Sequence, residues 1–446
     1  MADFKVKNGL QAKRYLQTTT ALASTATAID LSKGNNFSIT PSGNPTFTFT
    51  NPPATGKAQA FSVEVTGGSN GMDDIFSIDL WTSDGSSTQT ITNNIDLSNE
   101  GGLVWIKDRS TARNHVLVDT ARISGNTDNY LMSNLTNGQT AHSNEFGDFT
   151  STGYTLPRNT EAGYTNTNTG RNYVGWTFRK ASDFFDIVTY SGNGSHGRTV
   201  SHNLGSVPGM ILIKRTNSSD DWRVFHRSQS NKYAALNSTF QFGTDGGNIF
   251  GDPGDGTATA PTSTNFTVAN DASVNGSGST YVAYLFAHNN SKISCGSYTG
   301  NGSATGPTVD VGFQPQWIMI KRASGGTGDW DIYDSTRGIP DGAGDLRLEA
   351  NTSDAESTPG VDRINVSSSG FSIATTNSNL NTNGDTYIYT AIATGGAGSL
   401  TWPTSVKYPG GTAPSSPALG KKDVFTFMTV DGGTSYVGKK AVEGLS

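Results

Sequence analysis

Hydrolytic chemistry needs an activated nucleophile, a metal, or two carboxylates facing one another across a bond. The chain offers fragments of each. Gly67-Gly-Ser-Asn-Gly71 fits the G-x-S-x-G pattern. A nucleophile elbow requires a strand-to-helix turn, however, and the following Met72-Asp-Asp-Ile-Phe-Ser-Ile78 reads as strand. The histidines (His115, His142, His196, His202, His226 and His288) show neither HExxH nor H-x3-H spacing. The glutamates are few: Glu64, Glu100, Glu145, Glu161, Glu349, Glu356 and Glu443. Asp221 and Asp329 do recur, each directly before a tryptophan, and read as turn or strand-start residues whose carboxylates bond backbone. Gly251-Asp-Pro-Gly-Asp-Gly256 and Asn381-Thr-Asn-Gly-Asp385 are rich in oxygen ligands but lack EF-hand spacing. Cys295 is the only cysteine, which excludes an intrachain disulfide and a cysteine-based zinc site. It reads as a small buried apolar residue. The sequence therefore predicts no catalytic residue, no cofactor and no metal.

The elements that would position such residues are strands. Period-2 alternation marks Phe37–Ile39, Thr46–Thr50, Phe61–Val65 and Val424–Val430, with Gly/Asn/Pro/Ser turns about every ten residues. One short helix is predicted near Gln11–Thr20. A repeat organises the rest. Tyr190-Ser-Gly-Asn-Gly194 matches Tyr298-Thr-Gly-Asn-Gly302, and Pro208-Gly-Met-Ile-Leu-Ile-Lys-Arg215 matches Pro315-Gln-Trp-Ile-Met-Ile-Lys-Arg322. Asp221-Trp-Arg-Val-Phe225 matches Asp329-Trp-Asp-Ile-Tyr333, and Thr280–Ala287 matches Thr386–Ala393. A more worn copy lies upstream. There Leu103-Val-Trp-Ile-Lys107 precedes Lys214 by 107 positions, as Lys214 precedes Lys321, and His115 stands where the other copies have Trp222 and Trp330.

The Met-Ile-Leu-Ile-Lys strand is apolar on both faces, which predicts a central strand covered on both sides. Each repeat then reads as a two-sheet sandwich, with Trp222 or Trp330 filling the space between its sheets. A sugar-lining role for these tryptophans is the weaker alternative, because they fall inside strands. The fold expected is all-β: stacked β-sandwich repeats over 71–184, 185–287 and 288–396, inserted in a small discontinuous β domain of 33–70 plus 397–446. Residues 1–32 are expected to form an N-terminal anchoring arm. Neither end region has strands enough to stand alone, so Phe61–Val65 and Val424–Val430 are predicted to meet.

Composition narrows the function. Only 33% of residues are apolar and 15% charged, both below globular averages of roughly 45–50% and about 25%. The balance is Gly, Ser, Thr and Asn, which suit turns and solvent faces and carry little titratable chemistry. A net charge of −6 without a basic stripe argues against nucleic-acid binding. No stretch approaches the roughly 18 apolar residues of a membrane helix, and Met1-Ala-Asp-Phe-Lys5 lacks the apolar core of a secretory signal.

These blocks resemble a repeat in virion structural proteins of marine tailed bacteriophages, including cyanophages. Thr401–Pro414, Val424–Gly433 and the opening Met1–Leu10 are similar to the ends of such fibre-like proteins, where Asp431-Gly-Gly433 is a turn between strands. The resemblance implies a virion component made in the host cytoplasm: a tail fibre or similar appendage that contacts the host surface. Alternatives are a capsid decoration or fibre-connecting protein and, more distantly, a polysaccharide depolymerase. It also implies homo-oligomers, with threefold assembly common among phage fibres. Other virion proteins would bind the N-terminal arm, and a host-surface glycan or protein would meet aromatic loop residues such as Tyr130, Tyr154, Tyr164 and Tyr233.

Overall fold

The computed structural model describes residues 19–41, 45–66, 71–123, 128–142, 145–158, 164–166, 170–289, 291–339, 344–356, 360, 362–395, 400–409, 411, 413–414 and 422–445. Over these the chain is all-β, its helices reduced to single turns. It divides into two compact units, 1–71 with 395–446, and 72–394. No helix among the described residues is long and apolar enough to cross a membrane. Positions 11–18 of the expected N-terminal helix lie outside the described residues, and Thr20–Ala21 is a strand.

The terminal unit holds a six-stranded sheet in the order Thr20–Ala21, Asn36–Ile39, Gln59–Thr66, Lys422–Thr429, Tyr436–Leu445, Val406–Lys407, and a two-stranded sheet of Ala28–Asp30 and Thr48–Thr50. Thr20–Ala21 and Ala28–Asp30 of the expected anchoring arm are thus strands of this β domain, with Ile29 and Leu31 buried in its core. Gln59–Thr66 pairs antiparallel with Lys422–Thr429, placing Phe61 opposite Phe427 and Val65 opposite Asp423. Alternation along both strands sends Phe61, Val63, Val65, Phe425 and Phe427 into one core with Phe37, Phe47 and Trp402. The hairpin between Lys422–Thr429 and Tyr436–Leu445 turns at Asp431-Gly-Gly433. Gly433 adopts φ +85°, and a Cβ there would meet Pro52 at 2.4 Å, so the turn excludes side chains at this position.

Unit 72–394 contains three modules of one plan. In module 1 the main sheet runs Thr140–His142, Asp128–Leu131, Val116–Asp119, Gly102–Asp108, Asn172–Arg179, Phe76–Thr82, with a small sheet of Phe149–Thr150, Gly153–Pro157 and Thr88–Thr92. Module 2 orders Phe185–Ser191, Thr280–Phe286, Met210–Arg215, Arg223–His226, Lys232–Ala235, Gly243–Thr244, with Arg198–Ser201 paired to Asn265–Val268. Module 3 orders Ile293–Thr299, Thr386–Ala393, Pro315–Arg322, Trp330–Asp334, Leu348–Glu349, beside Thr308–Asp310, Gly370–Ile373 and Ile364–Ser367.

Period-2 geometry explains why the central strands are apolar on both faces. In Gly102–Asp108, Val104 and Ile106 join a core private to module 1, with Ile91, Tyr154 and Leu156 of its small sheet. Leu103 and Trp105 point the other way, into a core shared by all three modules. There Phe178 of module 1 lies 5.6 Å from Phe286 of module 2 and 5.9 Å from Trp317 of module 3.

The modules close on one another in a ring rather than a linear stack. Trp222 Nε1 of module 2 donates to Met132 O of module 1 at 2.9 Å, and Trp330 Nε1 of module 3 donates to Ala235 O of module 2 at 3.0 Å. His115 of module 1 completes the cycle through Nε2, 3.0 Å from Glu349 O of module 3. Its Nδ1 accepts from Trp105 Nε1 at 2.9 Å, so the proton sits on Nε2. Ala235 faces Arg223 and Glu349 faces Asp331 across their strand pairs, each one residue past the seam tryptophan. Met132 follows Leu131, which faces Leu117. The three acceptors therefore hold equivalent positions.

A second set of bonds repeats the cycle: Gln139 N to Thr216 O at 2.7 Å, Phe242 N to Ala323 O at 3.2 Å, and Glu356 N to Arg109 O at 3.0 Å. Trp222 and Trp330 thus fill seams between modules, not the space between the sheets of one sandwich. Sequence reading could assign their burial but not which module supplies the acceptor.

The seam from module 3 to module 1 carries an ionic network as well. Arg109 forks onto Glu356 at 2.9 and 2.7 Å, Glu356 also takes Arg337 at 3.0 Å, and Arg337 pairs with Asp334 at 2.7 Å. Asp334 accepts Trp176 Nε1 of module 1 at 2.9 Å. The equivalent place between modules 1 and 2 holds Asp119, Arg122 and Tyr284.

Candidate functional site

Module 2 carries a cleft of about 440 Å³. Strand Arg223–His226 supplies its guanidinium and Lys232–Ala235 supplies Tyr233. Arg223 lies 5.1 Å over the Tyr233 ring, its Nε donates to Ser273 Oγ at 2.8 Å, and its Nη1 is 3.5 Å from Asp221. The far wall is the loop carrying Asn237, Ser238, Phe240 and Gln241. Phe240 is 73% exposed, the highest value among the exposed large apolar side chains of the described residues.

A clip sets the geometry of this corner. Asn237 Oδ1 accepts Trp222 N at 2.9 Å, and Asn237 Nδ2 donates to Asp221 at 2.9 Å. Module 3 repeats it with Asn351, Trp330 and Asp329, and module 1 with Asn134, His115 and Asn114. Asp221 and Asp329 therefore bond asparagine side chains, where the sequence pointed to backbone. The asparagines escaped sequence reading because insertions of unequal length shift them off the constant offset.

Of the tyrosines expected in ligand-contact loops, two are core residues. Tyr130 lies in strand Asp128–Leu131 at 3% exposure, and Tyr154 in Gly153–Pro157 at 0%. Both pack in the private core of module 1, where alternation turns them inward. Tyr164 is half-buried, 6.3 Å from Tyr130. Tyr233 borders a cleft with open aromatic and polar surface.

Several of the remaining chemistry-bearing residues are buried or held by structural partners. Cys295 is fully buried and its thiol is pushed up to about 12 by that burial. His226, pulled down to about 3 by burial, faces Tyr389 O of module 3 at 3.1 Å. Asp252 caps its loop through Gly254 N, and Asp385 pairs with Arg322. Asp331 is held up to about 7, chiefly by burial, beside Arg347 and Glu349, but it has no solvent access. Residues 67–70 of the G-x-S-x-G segment, the His142 side chain and Glu161 lie outside the described residues. Among the described residues, no group of three or more His, Cys, Asp or Glu could hold a metal ion.

Sequence reading also missed the role of the repeated lysine. Lys107, Lys214 and Lys321 are each 0% exposed. Lys214 directs its three N–H bonds at Thr136 O, Arg215 O and Asp220 O, at 2.9, 3.2 and 2.9 Å, and Lys321 reaches Thr239 O at 2.8 Å and Gly328 O. Each of these two ammonium groups thus bridges to the preceding module. Burial pulls all three down to about 8. Between there and the usual lysine value of 10.5 the unfolded chain binds more protons than the folded one. Stability therefore rises with pH across that window, and the penalty of holding the charges is largest below it. Denaturant titrations from pH 8 to 10 are expected to show this rise, and Lys214→Met to remove about a third of it. An unchanged slope would contradict the assignment.

The sequence of residues 72–395 matches a family described as a domain of unknown function (DUF7483). The chain belongs to that family. The DUF7483 region coincides within a residue with the three-module ring, so the family's unit is the closed ring rather than one module. A search of the curated proteins found no match.

Proposed function

We propose that this chain is a structural protein of a bacteriophage particle, a tail fibre or similar appendage that contacts the host cell surface by attachment rather than catalysis. The observation that carries this reading is where the ring's repeated polar groups are used. Lys214, Lys321, Asp119, Asp334 and His115 are buried and hold module to module, while the exposed surface is left to loops of Gly, Ser, Thr and Asn. Loops on a rigid support favour binding, and several copies on one particle would multiply weak contacts through avidity. Purified protein is expected to adsorb to cells of a susceptible host and to compete with phage adsorption. Failure on every strain that the phage infects would sink the host-contact reading.

A capsid-decoration or connector role has its own support. Met428, Val430, Val437 and Val442 are 41–63% exposed, four of the seven exposed large apolar side chains among the described residues, and all lie on one hairpin of the terminal unit. Such clustering suits docking on a neighbouring virion protein or a second copy. Antibody labelling of intact particles separates the readings: label on tail appendages supports the first, label confined to the capsid the second.

A further inference from the structure

The three modules serve as internal controls for one another, and module 2 departs from the other two at one corner. Where it carries Arg223 and Tyr233, module 1 has Val116 and Tyr130, both buried, and module 3 has Asp331, buried, and Arg347, ion-paired. Counting five residues past the seam acceptors Met132, Ala235 and Glu349 gives Asn137, Phe240 and Asp354. The shared fold thus tolerates polar residues at that loop position, yet module 2 exposes 73% of a phenylalanine there. An exposed aromatic that the repeated architecture does not require, set across a cleft from a half-buried tyrosine, marks surface kept for a ligand.

The groups around it define the ligand's chemistry. Asp221 and Arg223 stand 3.5 Å apart, so the cleft's charges offset one another and favour a neutral ligand over an anion or cation. Ser238 and Gln241 add hydrogen-bonding groups at its edge, beside the Asn237 amide that the clip already holds. A pyranose has apolar C–H faces that stack on aromatic rings and hydroxyl edges that bond planar amide, carboxylate and guanidinium groups.

We propose that the Tyr233–Phe240 cleft of module 2 binds a neutral saccharide. This deepens the host-contact reading and rests on it. Arg223 is already fixed by Ser273 and by the Tyr233 face, so little side-chain freedom is lost on binding.

The test uses the full chain and an array of neutral oligosaccharides (gluco-, manno- and galacto-configured), with sialylated and uronate-containing ones as contrast, followed by calorimetric titration of the best neutral binder. Phe240→Ala is expected to weaken binding about tenfold or more, with the melting temperature unchanged because the side chain is exposed. Tyr233→Ala is expected to weaken it as well. Lack of binding to every neutral glycan, preference for the acidic ones, or an affinity unchanged in Phe240→Ala would each overturn the proposal. Cell adsorption measured in parallel keeps the two readings apart. Adsorption that survives Phe240→Ala in the absence of glycan binding removes the cleft but not host contact.

Discussion

Deletion of residues 288–394 is expected to convert the ring unit from a compact fold into an aggregating chain. In a linear array of sandwiches, losing the terminal module exposes one interface and leaves the others intact. In a closed ring it opens two seams at once. Module 1 loses the partners of His115 and Trp176, namely Glu349 O and Asp334, and Arg109 loses Glu356. Module 2 loses Trp330 from Ala235 O and the Tyr389 carbonyl from His226. Phe178, Phe286 and their neighbours in the shared core face solvent. Light scattering after size exclusion should find aggregates or self-associated species, with strong binding of a hydrophobic dye. A monodisperse two-module protein with the parent's melting temperature would show that the seams contribute little.

The second large effect is expected at Trp330. Its ring is fully buried, packs 6.3 Å from Phe242 of module 2, lies 5.7 Å from the Lys321 ammonium, and donates to Ala235 O. Trp330→Ala should cost about 3–5 kcal/mol, the range for truncating a buried tryptophan. Trp330→Phe keeps most of the packing and should cost less, chiefly through an unpartnered carbonyl, about 1–3 kcal/mol. Histidine is a special case. Module 1 uses it at this position because Trp105 satisfies Nδ1. Module 3 has Met319 in place of Trp105, so Trp330→His leaves that nitrogen without its donor and should cost more than the phenylalanine change. Chemical denaturation of the three variants checks the order.

Much of the fold was legible because local rules govern it. Alternation marked the strands, turn residues separated them, and equal offsets between Lys107, Lys214 and Lys321 exposed the modules. Double-faced hydrophobicity in the Met-Ile-Leu-Ile-Lys strand correctly announced cover on both sides. What covers the second face is another module some hundred residues away, and no periodicity encodes that. The tyrosines illustrate the same limit. Tyr130, Tyr154 and Tyr233 look alike in sequence, yet two are turned inward by strand alternation and one stays half-buried beside a cleft. Phe240 drew no notice because a lone phenylalanine gives no clue to its exposure. It stands out only against the polar residues at the same place in the other modules.

Closure of the three modules into a ring within one chain can be measured directly. Ser110→Cys, Asn217→Cys and Ser324→Cys occupy equivalent positions, 107 residues apart, just past the repeated Lys-Arg or Lys-Asp pair, and buried Cys295 need not be removed. Spin labels placed on them two at a time give three distances by double electron–electron resonance. The ring predicts three closely similar values. A distance between the labels of modules 1 and 3 about twice the other two, as in an extended array, would contradict it.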